Sequence, residues 1–144
     1  MTAKPEFELH AQLVKDCTVV GDLPLSKLLL MNDANYPWFV LVPMRAAKRE
    51  WYELDAAEQQ QLLHETNTLA KYLQEKTGSK KMNIGALGNM VPQLHVHVIA
   101  RFENDAAWPA PVWGKAQAVA YDEKKLAAMI NYGKELIKLY ITGR

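Results

Sequence analysis

The chain has 144 residues, enough for one domain with a sizeable core. Hydrophobic residues make up 49%, charged residues 23%, and the net charge is +1. This is the composition of an ordinary globular domain, with no charge excess that would draw it to nucleic acid or to a membrane surface. The single cysteine, Cys17, excludes an internal disulfide and fits a reducing cytoplasm. Met1 to Glu8 lacks an apolar core of signal-peptide length, and the apolar run Leu28 to Met31 is too short to span a bilayer.

In chain order, residues ~6–17 predict a short helix with Leu9, Leu13, Val14 and Cys17 on one side. Gly21, Asp22 and Pro24 break it. Ser26 to Asn32 predicts a strand, 33–37 a turn, and Trp38 to Val42 a second strand ended by Pro43. Asp55 to Thr77 predicts a long helix. Asp55 and Glu58 have the spacing of a capping box, and Leu62, Thr66, Leu69 and Leu73 form its apolar stripe. Gly78 predicts its stop. Strands are expected at Lys81 to Leu87 and Pro92 to Ala100, joined by a turn at 88–91. Residues 103–121 read as irregular. A last helix starts at Asp122, with Leu126, Met129, Ile130, Gly133, Leu136, Ile137 and Tyr140 on one face. Strands paired like hairpins between helices predict a single α+β domain over 1–144, with an antiparallel sheet, a long helix and a C-terminal helix.

The stretch Gln93-Leu-His-Val-His-Val-Ile99 alternates strictly between polar and apolar residues. On a strand, Gln93, His95 and His97 would share one face at a spacing of roughly 7 Å. Three readings follow. Neutral imidazole is a good nucleophile toward phosphorus, and His95, flanked by two hydrogen-bonding neighbours, is best placed to act as one. His-x-His is also a common pair of metal ligands, although neither His10 nor His64 shows a pattern that would complete a site. The third reading is a solvated sheet face.

The row, the Gly88 to Val91 turn before it and the strand Trp38 to Pro43 together resemble the histidine triad (HIT) superfamily. Its signature of three alternating histidines appears here with Gln93 in the first place. The resemblance is specific over 88–101 and looser over the rest of 6–105. It implies a HIT-like fold and a nucleotide hydrolase or nucleotidyl transferase that cleaves at the α-phosphate. Dinucleoside polyphosphates, phosphoramidates and adenylylated compounds are the substrate types. His95 maps to the nucleophile and His97 to the histidine that contacts phosphate and assists the leaving group. Gln93 joins them as the third member of the catalytic row.

The same resemblance places Asp33 near the ribose, with Asn83 and Asn89 near the phosphates. Each has a bland alternative: a turn aspartate, a strand-end amide and turn chemistry respectively. The resemblance further implies a homodimer with the sheet continuing across the interface, and covalent chemistry with no essential metal ion or other cofactor. Two departures stand out, Gln93 for His and Trp38 where many members carry His. A non-catalytic nucleotide-binding module is the rival reading, and a metal-site enzyme the third.

Overall fold

A computed structural model describes residues 6–143. The element order is α1 (Ala11–Asp16), β1 (Cys17–Asp22), β2 (Ser26–Met31), β3 (Trp38–Pro43), a short 3-10 turn, α2 (Ala56–Thr77), β4 (Lys81–Gly85), β5 (Val96–Arg101) and α3 (Glu123–Thr142). The five strands form one sheet in the order β1-β2-β3-β5-β4, antiparallel at every pairing. The α+β expectation holds, with both the long helix and the C-terminal helix in place. No helix among the described residues is long and apolar enough to cross a membrane.

α2 forms as its sequence dictates. The Glu58 N–H donates to the Asp55 carboxylate at 2.8 Å, and the Glu58 side chain accepts from the Asp55 N–H at 3.0 Å, closing the capping box. Gly78 ends the helix at φ 69°, a left-handed conformation open to glycine. Leu62, Leu69 and Leu73 are fully buried on the sheet. Each contributes on the order of 1.5–3 kcal/mol through burial. α3 lies beside α2 on the same sheet face. Gly133 lets it approach closely, since a Cβ there would stand 2.8 Å from Val20 Cγ1 and 3.1 Å from Phe39 Cε1.

These two helices cover the face formed by Leu28, Leu30, Phe39, Leu41, Val96, Val98 and Ala100. The opposite face carries Leu29, Trp38, Val40, Val42 and Ile99. It is covered by Leu13 of α1 and by Val91, Ala107 and Val112 of the loops. A sheet buried on both sides explains why every residue of β3 and of β5 is buried.

Several boundaries differ from expectation. The helix expected over 6–17 is only Ala11–Asp16, and Cys17 opens an edge strand that was not expected. Thr18, Val19 and Val20 are β-branched and favour extended backbone, and pairing with β2 (Cys17↔Met31, Val19↔Leu29) settles it. The histidine strand begins at Val96, not Pro92. Leu41 pairs Val96, so a longer ladder would run into Pro43, which has no N–H to share. The Leu94 N–H goes instead to the Lys48 carbonyl at 2.9 Å. β4 stops at Gly85 rather than Leu87.

Residues 103–121 contain no helix or strand, as expected, yet they are tightly organised around one buried cation. Arg101 is 1% exposed. Its Nε and Nη2 donate to the two Asp105 oxygens at 2.8 and 3.1 Å, and Nη2 also donates to the Ala110 carbonyl at 2.7 Å. Asp105 in turn accepts main-chain N–H groups from Phe102, Ala107 and Trp108. Burial opposes the Asp105 charge, but the guanidinium and these three donors prevail and hold its carboxyl well below the usual range. The remaining donor, Arg101 Nη1, reaches Asn83 Oδ1 at 2.7 Å. Asn83, expected beside a phosphate, is therefore part of this anchor. The register pairs it with Ile99, one diagonal step from Arg101 on the same face. Asn83→Ala is expected to cost about 1–3 kcal/mol of stability, read as a lowered midpoint in urea denaturation, because it leaves a buried donor unpaired.

Candidate functional site

His95 immediately precedes β5 and His97 is its second residue; each is 6% exposed, with ring centroids 4.9 Å apart. They border a cavity of about 220 Å³ whose wall includes Leu13, Asp16, Met31, Asn89, Val91 and Trp113. The solvated-face reading is thereby overturned: both rings are held in a largely apolar enclosure.

Hydrogen bonding assigns the protons. His95 Nδ1 lies 2.6 Å from the Gln93 carbonyl oxygen. A carbonyl only accepts, so Nδ1 carries the hydrogen and Nε2 keeps its lone pair. His97 Nδ1 is 3.0 Å from Trp38 Nε1, and the indole only donates. In neutral His97 the hydrogen is therefore on Nε2. The two rings present complementary groups, a lone pair from one and a donor from the other. Burial lowers the pKa of both. For His95 the Gln93 carbonyl partly opposes burial, while His10 adds to the lowering. His97 falls to about 3, through burial first and the His95 charge second. Both rings are thus neutral at neutral pH.

Trp38 and Trp113 frame His97, at centroid distances of 5.5 and 5.3 Å. Gly85, paired directly with His97, makes room: a Cβ there would meet Trp113 Cη2 at 3.2 Å. Trp113 reaches this position because the Arg101 anchor folds the preceding loop back over the sheet. Behind it lies a second cavity of about 440 Å³, which shares Asp16, Met31, Trp38 and Trp113 with the first and includes Asp33 in its wall. Asp33 Oδ1 accepts from the Asn35 and Val119 N–H groups at 3.0 and 3.2 Å, which fixes the rim of this cavity. Asn89 is exposed on the loop before the histidines.

The row expected for Gln93, His95 and His97 is therefore incomplete. His95, His97 and Asn89 converge on one cavity, and Asp33 stands at the adjoining one. Asn83 is engaged by Arg101. Gln93 is not among the residues lining either cavity. It precedes the ladder, and its amide is bonded to the main chain of Glu8 and His10.

Sequence reasoning missed the contribution of α1, because Leu13 and Asp16 carry no motif. It also missed Arg101, a lone arginine at a strand end. Trp113 lies in the stretch read as irregular. Cys17 is inert here: burial, with the nearby Asp16 charge, pushes its thiol up to about 12. Among the described residues no group of three His, Cys, Asp or Glu side chains is placed to hold a metal ion.

The fold is shared with known proteins. The HIT domain family model matches residues 12–104. A histidine triad protein from Bradyrhizobium japonicum is 48% identical, with a TM-score of 0.90, covering 92% of this chain and 99% of its own. One from Sinorhizobium meliloti is 46% identical with a TM-score of 0.87, over 90% and 96% of the two chains. One from Marinobacter aquaeolei is 44% identical with a TM-score of 0.91, over 94% and 99%. A comparison with curated proteins finds no match. The chain belongs to the histidine triad family.

Proposed function

We propose that the protein is a nucleotide hydrolase that cleaves at the α-phosphate of a nucleotide conjugate through a covalent nucleotidyl-His95 intermediate. The observation that carries this reading is the 2.6 Å bond from His95 Nδ1 to the Gln93 carbonyl, which leaves Nε2 as a free lone pair at the cavity. The nucleoside occupies the larger cavity beside Asp33, and the phosphate lies between the two histidines.

The Nε2 lone pair forms an N–P bond as the bond from phosphorus to the leaving group breaks. That electron pair departs with the leaving group, which takes a proton from solvent. His97 Nε2–H donates to a phosphoryl oxygen, with Asn89 at the rim. Such a fixed donor favours the transition state because it needs no reorganisation as charge shifts. The resulting phospho-imidazolium keeps its Nδ1–H on the Gln93 carbonyl. Water then forms a new P–O bond and loses its proton to solvent, while the N–P bond electrons return to Nε2.

His95→Ala is expected to lower kcat/KM by roughly 10³-fold or more, the scale of losing a covalent nucleophile. His97→Ala should cost roughly 10²-fold, the scale of losing one fixed donor. Mass spectrometry of the wild type, quenched in a single turnover of an adenosine phosphoramidate or dinucleoside polyphosphate, should find the nucleotide on His95. Tight binding with no adduct and no turnover across such a panel would favour the binding-module reading. The reactive form of His95 is neutral, and burial lowers its pKa. kcat/KM should therefore persist to lower pH than an ordinary imidazole nucleophile would allow before it falls.

We further propose a homodimer. β4 pairs with β5 on one side only, and Ile84 and Leu87 near that edge are 48% and 43% exposed. Sedimentation velocity at micromolar concentration should give a particle of twice the 16.3 kDa chain mass, and a single-chain mass would count against it.

A further inference from the structure

Gln93 is the position at which this chain departs from three histidines, and its polar groups connect two parts of the site. Its carbonyl accepts from His95 Nδ1 at 2.6 Å. Its Oε1 accepts from the His10 N–H at 2.9 Å, and its Nε2 donates to the Glu8 carbonyl at 2.8 Å. The amide thus pairs with the N-terminal segment much as one residue of a neighbouring strand would. His10 then caps α1, with Nδ1 accepting from the Gln12 N–H at 3.0 Å. α1 supplies Leu13 and Asp16 to the wall of the histidine cavity.

A helix of six residues cannot hold itself in water. Its place over the site must come from what fastens it, and its entry is fastened to Gln93 eighty-three residues away in sequence. We propose that Gln93 is a positioning residue: its side-chain amide clamps residues 8–10 so that α1 closes the cavity, while its carbonyl orients His95. Glutamine suits this task because one amide offers both an acceptor and a donor. The substitution of histidine by glutamine then marks a change of task, from membership of the catalytic row to closure of its wall. The consequence for catalysis rests on the reading of His95 as nucleophile, whereas the clamp itself does not.

The charged or titratable groups that border His95 are His97 from β5, Asp16 from α1 and His10 at the entry of α1. Loosening α1 admits water, so the His95 imidazole should become easier to protonate.

The test compares full-length wild type with Gln93→Ala, Gln93→Glu, His10→Asn and His10→Pro. Hydrogen exchange reads residues 8–16, and imidazole NMR reads the His95 titration and tautomer. Turnover is followed with a p-nitrophenyl ester of AMP. Gln93→Ala should speed exchange across 8–16 at least tenfold, move the His95 titration upward, and raise KM more than it lowers kcat. Gln93→Glu, which keeps only the acceptor, should fall between.

His10→Asn retains the N–H and a capping side chain, so it should preserve protection. His10→Pro suits the observed φ of −55° but removes the donated N–H. It should mimic Gln93→Ala and add little to it in the double variant. It also keeps the test open if Gln93→Ala does not fold. Unchanged exchange and an unchanged His95 titration in both Gln93→Ala and His10→Pro would overturn the clamp, and so would a tenfold loss of kcat/KM without either change. Absence of turnover in the wild type would count against the hydrolase reading alone, because exchange and titration still report on Gln93.

Discussion

Everything at this site depends on a sheet that is covered on both faces. α2 and α3 bury one side in the ordinary way of an α+β domain. The other side, where His97 stands, is sealed by smaller pieces: a six-residue helix, the loop before β5 and the loop after it. That second covering removes water from the imidazoles. It is what keeps them neutral, and it makes each fixed donor and acceptor count for more than it would in water.

None of these covering pieces is large enough to stay in place by its own apolar area. Each is held by a polar anchor of high specificity. The loop after β5 closes around the Arg101 guanidinium, which Asp105, Ala110 and Asn83 satisfy. The segment leading into α1 is tied to the Gln93 amide. The loop before β5 meets the one after β3 through the Leu94 N–H and the Lys48 carbonyl. Arg101 in particular, buried and with a full set of partners, fixes a single arrangement where loose hydrophobic contact would permit several.

This division of labour accounts for what the sequence made legible. Elements held by periodic burial were read well. The α2 capping box, the stripe through Leu62, Leu69 and Leu73, and the face of α3 through Met129, Gly133 and Leu136 each have a repeating local pattern. So does the alternation that brings His95 and His97 to the same cavity. Elements held by one distant partner were not. Cys17 to Asp22 became a strand because β2 was there to pair with it. Asn83 turned out to serve a buried arginine, and Gln93 a main-chain segment at the far end of the sequence. A single long-range hydrogen bond leaves no periodic trace. The resemblance assigned Asn83 and Gln93 by their place in a motif, while their actual partners depend on side chains outside it.

Trp38 has one more consequence. An indole N–H has no accessible acid-base equilibrium in water and no lone pair to offer in return. The bond it makes to His97 Nδ1 therefore has one polarity at every pH the protein meets. A histidine in that place could hold the neighbouring ring in either of two arrangements and exchange them as protons came and went. With tryptophan there, neutral His97 keeps its hydrogen on Nε2 and its Nδ1 as the acceptor. One fixed donor stands where an imidazole could both give and accept a proton.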